Sequence, residues 1–233
     1  MIIAMWSGPR NLSTAMMRSF GSRGDCVVWD EPFFAPFLAV TGKAHPGREE
    51  TLVAHETDPA IVARRCAAQS SAPLYFQKHM PHHMLPEFPL DWAAQATHFF
   101  LLRHPQRVIA SYAKGRAEFD LDDLGFAAQH RLWKQLGCPP VIQSETILND
   151  PEIALSALCE RINIPFDPAM LSWRSGPREE DGAWAPWWYE RVWRSTGFAS
   201  PTSELPQIDP CHEALLSACL PAYETLAAHA IRV

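Results

Sequence analysis

A loop rich in hydroxyl groups and backbone amides follows the first apolar run of the chain, residues 1–6. A helical pattern begins directly behind it at Ala15. Because unpaired amides and the helix dipole converge where a loop enters a helix, such a loop is typical of a phosphate or sulfate site. Arg10 adds a permanent positive charge. The candidate anion-binding residues are Ser7, Gly8, Pro9, Arg10, Asn11, Leu12, Ser13 and Thr14.

The spacing of this loop differs from the common nucleotide-binding motifs. A Walker A sequence needs G-x-x-x-x-G-K-[ST], whereas Gly8 has no partner glycine and Arg10 precedes the hydroxyls. No G-x-G-x-x-G sequence occurs in the chain. Taken alone, the loop could therefore also be an ordinary strand–helix turn that is capped by a hydroxyl.

Strand patterns alternate with helix patterns along the chain, which predicts a parallel sheet with helices on both faces. Besides residues 1–6, the predicted strands are 26–29, 74–78, 97–102 and 140–144. The apolar run 97–102 is predicted to be central. Ligands gather at the carboxyl ends of parallel strands. Beyond the loop, the charged pairs at those ends are Asp30-Glu31, Lys78-His79, Arg103-His104 and Ser144-Glu145.

The second half of the chain changes character at about residue 166. Residues 122–136 and 152–161 are predicted helices, and 209–231 is a predicted C-terminal helix docked on the sheet. Five of the nine tryptophans fall between Trp173 and Trp193. These aromatic side chains could form a platform for a ligand or fasten the C-terminal segment to the sheet. We expect residues 1–233 to form one domain, with the tryptophan-rich segment (about 166–233) packed on it.

The composition argues against two broad kinds of partner. A formal net charge of −6 opposes broad electrostatic binding to nucleic acid or an anionic membrane. No apolar run reaches membrane-spanning length, and no signal-peptide pattern precedes the first strand. The six scattered cysteines favour inert thiols in a reducing compartment. We expect a cytoplasmic protein with no nucleic-acid partner and no membrane insertion.

The loop and residues 100–112 together resemble the sulfotransferase superfamily. In that family, a first-strand loop binds the 5′-phosphosulfate of PAPS (3′-phosphoadenosine 5′-phosphosulfate), and an R-D-P-R-D-x-x-x-S-like stretch holds its 3′-phosphate. Arg103 and Ser111 fall on the arginine and serine of that stretch, while Arg10 and Leu12 replace the usual lysine and glycine of the loop. More narrowly, the chain resembles small bacterial sulfotransferase-like proteins that are sometimes grouped by name with branched-chain aminotransferases. That resemblance runs through residues 30–34, 78–80, 164–167, 187–189 and 195–198.

The resemblance implies a three-layer α/β/α fold of the P-loop NTPase type. It implies PAPS as co-substrate, adenosine 3′,5′-bisphosphate as product, and no required metal. Arg10 and the loop would stabilise the departing 5′-phosphate, while Arg103 and Ser111 would hold the 3′-phosphate. A late loop that closes over the nucleotide would contribute Arg191, Ser195 and Thr196.

The acceptor's proton needs a base, for which Glu31 is the first candidate. Lys78 could contact the transferring sulfuryl group, and His79 is the second candidate for the base. As alternatives, Asp30 or Glu31 could merely cap a turn before Pro32, and His79, His82 and His83 could bind a metal.

Two other functions compete with sulfuryl transfer to a hydroxyl or amine of a small-molecule acceptor. One is a P-loop-like nucleotide kinase or phosphotransferase. Against it, this sequence lacks the Walker lysine and an evident Mg²⁺-binding aspartate. The other is a nucleotide-binding protein without activity, which the substituted positions Arg10 and Leu12 keep open. The sequence specifies neither the acceptor nor the oligomeric state.

Overall fold

The centre of the protein is a five-stranded sheet with all strands parallel, in the order β2–β3–β1–β4–β5. The structure is a computed structural model that describes residues 1–116 and 118–233. The predicted parallel sheet is thereby confirmed. The strands are β1 (Ile2–Ser7), β2 (Cys26–Asp30), β3 (Leu74–His79), β4 (Ala96–Leu102) and β5 (Val141–Gln143).

Helices follow the strands and cover both faces of the sheet. They are α1 (Ser13–Gly21), α2 (Phe34–Thr41), α3 (Arg48–Ala54), α4 (Pro59–Cys66), α5 (Pro105–Tyr112), α6 (Leu121–Leu124), α7 (Phe126–Gln135), α8 (Ser144–Asn149), α9 (Pro151–Arg161), α10 (Ala185–Trp188), α11 (Glu190–Trp193) and α12 (Glu213–Ala227). Short 3₁₀ turns lie at Pro81–His83, Asp91–Gln95, Pro168–Leu171 and Pro210–His212.

Strand alternation divides the core into two apolar layers. Met5 and Phe76 face one side, where they pack with α1 and α9. Trp6 and Phe100 face the other side, where they pack with α5, α7 and α12. Since successive side chains of a strand point to opposite faces, adjacent residues at a strand end enter different environments. The predicted three-layer α/β/α architecture is confirmed.

Two details differ from the sequence predictions. The helix predicted over 122–136 is broken at Gly125, whose φ of 74° ends α6 and starts α7. Glycine adopts this left-handed conformation without a steric penalty, which explains why the helix breaks at Gly125. The most apolar predicted strand, β4, is interior, but the middle of the sheet is β1.

A buried ion pair fastens the tryptophan-rich segment to the first helix. Arg18 of α1 donates two hydrogen bonds to Asp181, at 2.6 and 2.7 Å. The same carboxylate accepts bonds from the backbone of Arg178 and from the Trp193 indole. Further along the segment, Trp187 covers Gly47, where a Cβ would lie 2.5 Å from the indole ring. These contacts fasten the C-terminal segment to α1 and to the residue before α3.

We predict that Asp181→Asn lowers the free energy of unfolding by about 3–5 kcal/mol, because it leaves the buried Arg18 without its counter-charge. Glu180→Gln is the matched control, since Glu180 is partly exposed and 3.8 Å from Arg18. Its cost is about 1 kcal/mol or less. Urea denaturation of the two variants measures the difference, and equal losses would contradict a specific role for the buried pair.

Candidate active site

A cavity of about 310 Å³ opens at the carboxyl edge of the sheet, where the first four strands end. This volume is in the range of small-molecule sites. The residues of its wall that the sequence predicted are Pro9, Arg10, Leu12, Ser13, Thr14, Glu31, Lys78, Arg103, Ser111, Arg191 and Ser195. Five predicted residues lie outside this wall, namely Ser7, Gly8, Asn11, His79 and Thr196.

Two of the residues outside the wall use their side chains within the protein. The Ser7 hydroxyl donates to the carbonyl oxygen of Gly8 at 2.9 Å, and the Asn11 amide donates to that of Leu101, on β4, at 3.2 Å. Gly8 is closely packed, since a Cβ there would lie 3.3 Å from the Asn11 amide. The side chains of Ser7 and Asn11 therefore fix the loop, and ligand contacts by Ser7, Gly8 and Asn11 stay a prediction.

The loop leaves the start of α1 open. The N-cap is Leu12, in the left-handed conformation with φ 77° and without a side-chain capping bond. Arg10 also has a positive φ, of 60°. The loop thus adopts the backbone that favours the glycine of the family pattern, even with leucine in place, at a cost of about 1–2 kcal/mol. The uncapped amides at the start of α1 and the hydroxyls of Ser13 and Thr14 border the cavity.

Three arginines meet on the wall formed by the loop and α5. Arg10 Nε donates to Ser111 Oγ at 3.0 Å, and Arg103 donates to the carbonyl oxygen of Arg10 at 2.6 Å. Arg191 joins them from the C-terminal segment. Burial, together with neighbouring arginines, lowers the pKa of Arg10 and of Arg103. Guanidinium groups nevertheless stay protonated at physiological pH.

This arginine cluster has no internal counter-charge. Within residues 1–116 and 118–233, neither Arg10, Arg103 nor Arg191 forms an ion pair with an acidic side chain; the nearby Glu145 pairs with Arg107. The Nε of Arg103 is buried without a hydrogen-bond partner. Because partly buried positive charge is costly unless it is neutralised, the cluster is suited to bind a multiply charged anion.

Elsewhere on the cavity wall, Lys78 and Glu31 belong to a buried cluster with a second carboxylate, Asp30. Lys78 Nζ donates to Asp30 at 2.7 Å, to Glu31, and to the hydroxyl of Tyr189 at 2.7 Å. Asp30 and Lys78 are register partners on β2 and β3, which explains why they meet. Burial disfavours the charge on Lys78, but the two carboxylates outweigh it and hold its pKa well above the usual value.

The geometry corrects the role predicted for Lys78. An ammonium has three N–H groups, and all three are used within this cluster. Lys78 therefore positions the carboxylates and has no donor left for a sulfuryl group. Tyr189 completes the cluster, since its hydroxyl donates to Asp30 at 2.7 Å and accepts from the Trp184 indole at 3.1 Å. The sequence indicated Tyr189 only as an aromatic residue of the tryptophan-rich segment.

Glu31 lies at the junction between this cluster and the cavity. Its backbone is in the left-handed region with φ 40°, a strain of about 1–3 kcal/mol that is typical of functional sites. Its side chain binds Lys78 rather than a turn amide, so the turn-capping alternative is wrong. Burial raises the pKa of Glu31, although the charge of Lys78 works against this. A carboxylate with a raised pKa is a suitable general base.

His79 does not face the cavity. It follows Lys78 on β3, so its ring points to the opposite face of the sheet and stacks on Trp6 at 4.6 Å between centroids. Burial lowers the pKa of His79 well below its ordinary value. The prediction that His79 is an alternative base is therefore wrong, because strand alternation removes it from the site.

His83 is the histidine that lies beside the carboxylates. Its Nδ1 is 3.7 Å from Glu31 Oε2, and its ring stacks on Phe34 and Phe37 at 4.6 and 4.9 Å. From the sequence, His83 was expected only as one of three possible metal ligands. In the part of the chain that the structure describes, no group of three or more His, Cys, Asp or Glu side chains is arranged to hold a metal.

The C-terminal segment contributes Ser195 but not Thr196 to the cavity wall. Ser195 lines the cavity, but its hydroxyl already bonds the Trp173 indole at 3.1 Å and the carbonyl oxygen of Val192 at 2.8 Å. Thr196 is exposed and does not line the cavity, so its role as a nucleotide contact stays a prediction. Arg107 instead holds this segment in place through the side chain and carbonyl oxygen of Thr202, at 2.8 and 2.7 Å.

The comparisons with known proteins agree with this architecture. Residues 1–230 match the family described as sulfotransferase domain. The chain belongs to this family. Membership confirms the resemblance that the loop and residues 100–112 indicated.

Two plant relatives of this sulfotransferase domain carry an aminotransferase name. They are branched-chain-amino-acid aminotransferase-like proteins 1 and 2 of Arabidopsis thaliana, each 38% identical over 234 residues. The match covers 98% of this chain and 42% of each relative. The sulfotransferase domain thus spans less than half the length of these relatives, and their names agree with the narrower resemblance seen in the sequence.

Solved sulfotransferase structures share its fold. A sulfotransferase domain from the curacin biosynthetic pathway superposes with a TM-score of 0.58 and 17% identity, covering 94% of this chain and 97% of that one. A sulfotransferase from Alicyclobacillus acidocaldarius gives 0.57 and 14%, covering 99% and 96%. In the sulfotransferase domain described here, residues 1–116 and 118–233 contain no helix that is both long and apolar enough to cross a membrane.

We predict that Lys78→Met destabilises the sulfotransferase domain by about 3–5 kcal/mol, because it leaves two buried carboxylates unpaired. Lys134→Met is the control, since Lys134 is exposed on α7. Its loss costs about 0–1 kcal/mol. Chemical denaturation compares the two variants, and a stable Lys78→Met protein would show that the carboxylates do not need this charge.

Proposed function

We propose that this chain transfers the sulfuryl group of PAPS to a hydroxyl or amine of a small-molecule acceptor. The observation that carries the proposal is the arginine cluster, Arg10, Arg103 and Arg191, on the wall of the same cavity that Glu31 borders. An anion bound by the cluster would therefore share the cavity with a group that could accept a proton. This is the arrangement that transfer from an anionic donor requires.

The residues present fit the two charged ends of PAPS. Arg103 and Ser111 supply donors for the 3′-phosphate, and Arg103 has a buried Nε that lacks a partner. Arg10, the first amides of α1 and the hydroxyls of Ser13 and Thr14 supply donors for the 5′ end. PAPS would bring the activated sulfuryl group. The protein's part is to position it and to stabilise negative charge on the leaving phosphate oxygen.

Glu31 is proposed as the base that finally takes the acceptor's proton. It borders the cavity, and its raised pKa suits the task. Lys78 holds one of its oxygens in place, and Asp30 leaves the cluster with two negative charges against one positive charge. The arrival of a proton would neutralise that excess.

A kinase function receives less support from the same contacts. Lys78 is the lysine of the cavity wall in the described part of the chain, and its three N–H groups are bound to protein atoms. It therefore has no donor for the γ-phosphate of ATP, a role that a P-loop kinase gives to its lysine. The positive charge available at the cavity comes from arginines.

Adenosine 3′,5′-bisphosphate should stabilise the protein, by about 2.7 kcal/mol at a hundredfold excess over Kd. Arg103→Ala should weaken its binding by about 1.5–3 kcal/mol, roughly 10- to 150-fold in Kd, because a charged hydrogen-bond donor is lost. Chemical denaturation with and without the bisphosphate measures the stabilisation, and isothermal titration calorimetry measures the change in Kd. Arg64→Ala is the control, since Arg64 is exposed on α4.

Adenosine monophosphate and ATP with Mg²⁺ complete this comparison. The proposal requires that the bisphosphate binds more tightly than the monophosphate, since only the former has the 3′-phosphate that Arg103 is proposed to hold. Binding of ATP with Mg²⁺ alone would contradict PAPS as the donor and favour the kinase alternative.

The pH profile of turnover tests the role of Glu31. A base must be unprotonated, so activity should appear as pH rises through the pKa of Glu31. Because burial raises that pKa, the midpoint of the acid limb should lie above 4.5, the ordinary value for glutamate. Glu31→Gln should keep bisphosphate affinity and lose about 10²–10⁴-fold in turnover of PAPS. An acid limb and a rate that survive in Glu31→Gln would assign the base elsewhere.

A further inference from the structure

The two oxygens of the Glu31 carboxylate have different neighbours. Oε1 accepts a hydrogen bond from Lys78, while Oε2 faces Nδ1 of His83 at 3.7 Å. Glu31 is 8% exposed and His83 is 5% exposed. The oxygen that Lys78 leaves free is thus directed at an imidazole, so a proton from the cavity can reach the carboxylate through that ring.

The imidazole of His83 is held in a fixed orientation. Phe34 and Phe37 of α2 stack on it, with interplanar angles of 18° and 28°. Its Nδ1 is buried and has no hydrogen-bond partner at the observed distance. His83 also lines the cavity, and since Nδ1 is turned to Glu31, the opposite nitrogen Nε2 is the one available to a bound acceptor. Catalytic hydrogen bonds are often longer without ligand and shorten when substrate binds.

We propose that His83 relays the acceptor's proton to Glu31, an inference that rests on the proposed sulfuryl transfer and specifies its proton path. The acceptor O–H or N–H bond breaks, and its proton bonds to Nε2 of His83. The proton on Nδ1 passes to Oε2 of Glu31. The acceptor atom bonds to sulfur as the bond from sulfur to the 5′-phosphate oxygen breaks, and the electron pair of that bond stays on the phosphate.

The surrounding charges favour this direction of transfer. Charged and titratable groups act on His83 from the residue after β2 (Glu31), from β3 (Lys78, and His79 from the other face of the sheet), from its own turn (His82) and from the segment between α2 and α3 (His45). Burial, together with the neighbouring histidines and Lys78, keeps the pKa of His83 well below its ordinary value, so a proton does not stay on the ring. Glu31, with a raised pKa and excess negative charge around it, is where the proton comes to rest.

Release of adenosine 3′,5′-bisphosphate from PAPS in a single turnover, with water as the acceptor, tests the relay. His83→Gln and Glu31→Gln should each slow the release by about 10²–10⁴-fold. The double variant should be no slower than the slower single variant, because both residues serve one path. His130→Gln on α7 is the control and should keep the wild-type rate. Unchanged affinity of His83→Gln for the bisphosphate shows that the variant is folded.

Histidine side-chain NMR gives a readout that does not depend on activity. In long-range ¹H–¹⁵N spectra, with His83 assigned through the His83→Gln variant, the ring should carry its proton on Nδ1. Glu31→Gln should shift this tautomer equilibrium, because the anionic acceptor is lost. A wild-type ring protonated on Nε2 alone would overturn the relay.

The outcomes separate the relay from the proposed function. A wild-type protein that binds no bisphosphate, or binds it and never turns over PAPS, overturns the transferase proposal and the relay with it. A wild-type protein that turns over PAPS while His83→Gln keeps the full rate overturns the relay alone. Rate losses that multiply in the double variant also overturn it, since they indicate two independent roles.

Discussion

The three hydrogen bonds of the Lys78 ammonium hold the functional edge of this protein together. They join the ends of β2 and β3 to Tyr189, which lies 111 residues further along the chain. A buried ammonium is stable only when its charge and its three donors are satisfied, and Asp30, Glu31 and the tyrosine hydroxyl satisfy both. The same bonds keep Glu31 in its left-handed conformation at the cavity. The C-terminal segment and the carboxylates are therefore one structural unit.

The cavity wall carries charge of both signs. In the described part of the chain, the arginine cluster forms no ion pair with an acidic side chain, whereas the Lys78 cluster has two carboxylates for one ammonium. Aromatic rings and histidines line the same cavity. An anionic donor and a proton-bearing acceptor can occupy such a cavity together, since the arginines attract the anion and the carboxylate accepts the proton. The buried ion pair between Arg18 and Asp181 holds the C-terminal segment, and with it that part of the cavity wall, in place.

Much of the fold could be predicted from the sequence because its signals are local. Apolar runs predicted the strands, and their alternation with helices predicted a parallel sheet. The loop at Arg10 and the stretch containing Arg103 and Ser111 identified the family. Because ligand sites lie at the carboxyl ends of parallel strands, these residues were expected at one edge of the sheet. The split of the predicted helix at Gly125 also has a local signal, since the chain carries a glycine there.

The roles of the residues in and around the Lys78 cluster depended on the tertiary structure. Lys78 and His79 are neighbours in sequence, yet strand alternation sends one to the cavity and the other to the core. Sequence alone determined that a basic loop, an arginine and a carboxylate meet at one edge of a sulfotransferase fold. Only the tertiary structure decided that all three N–H donors of Lys78 are used, that Tyr189 completes the cluster and that His83 faces Glu31. The physical reason is that hydrogen-bond partners and pKa shifts depend on contacts between segments distant in the chain, which no local pattern encodes.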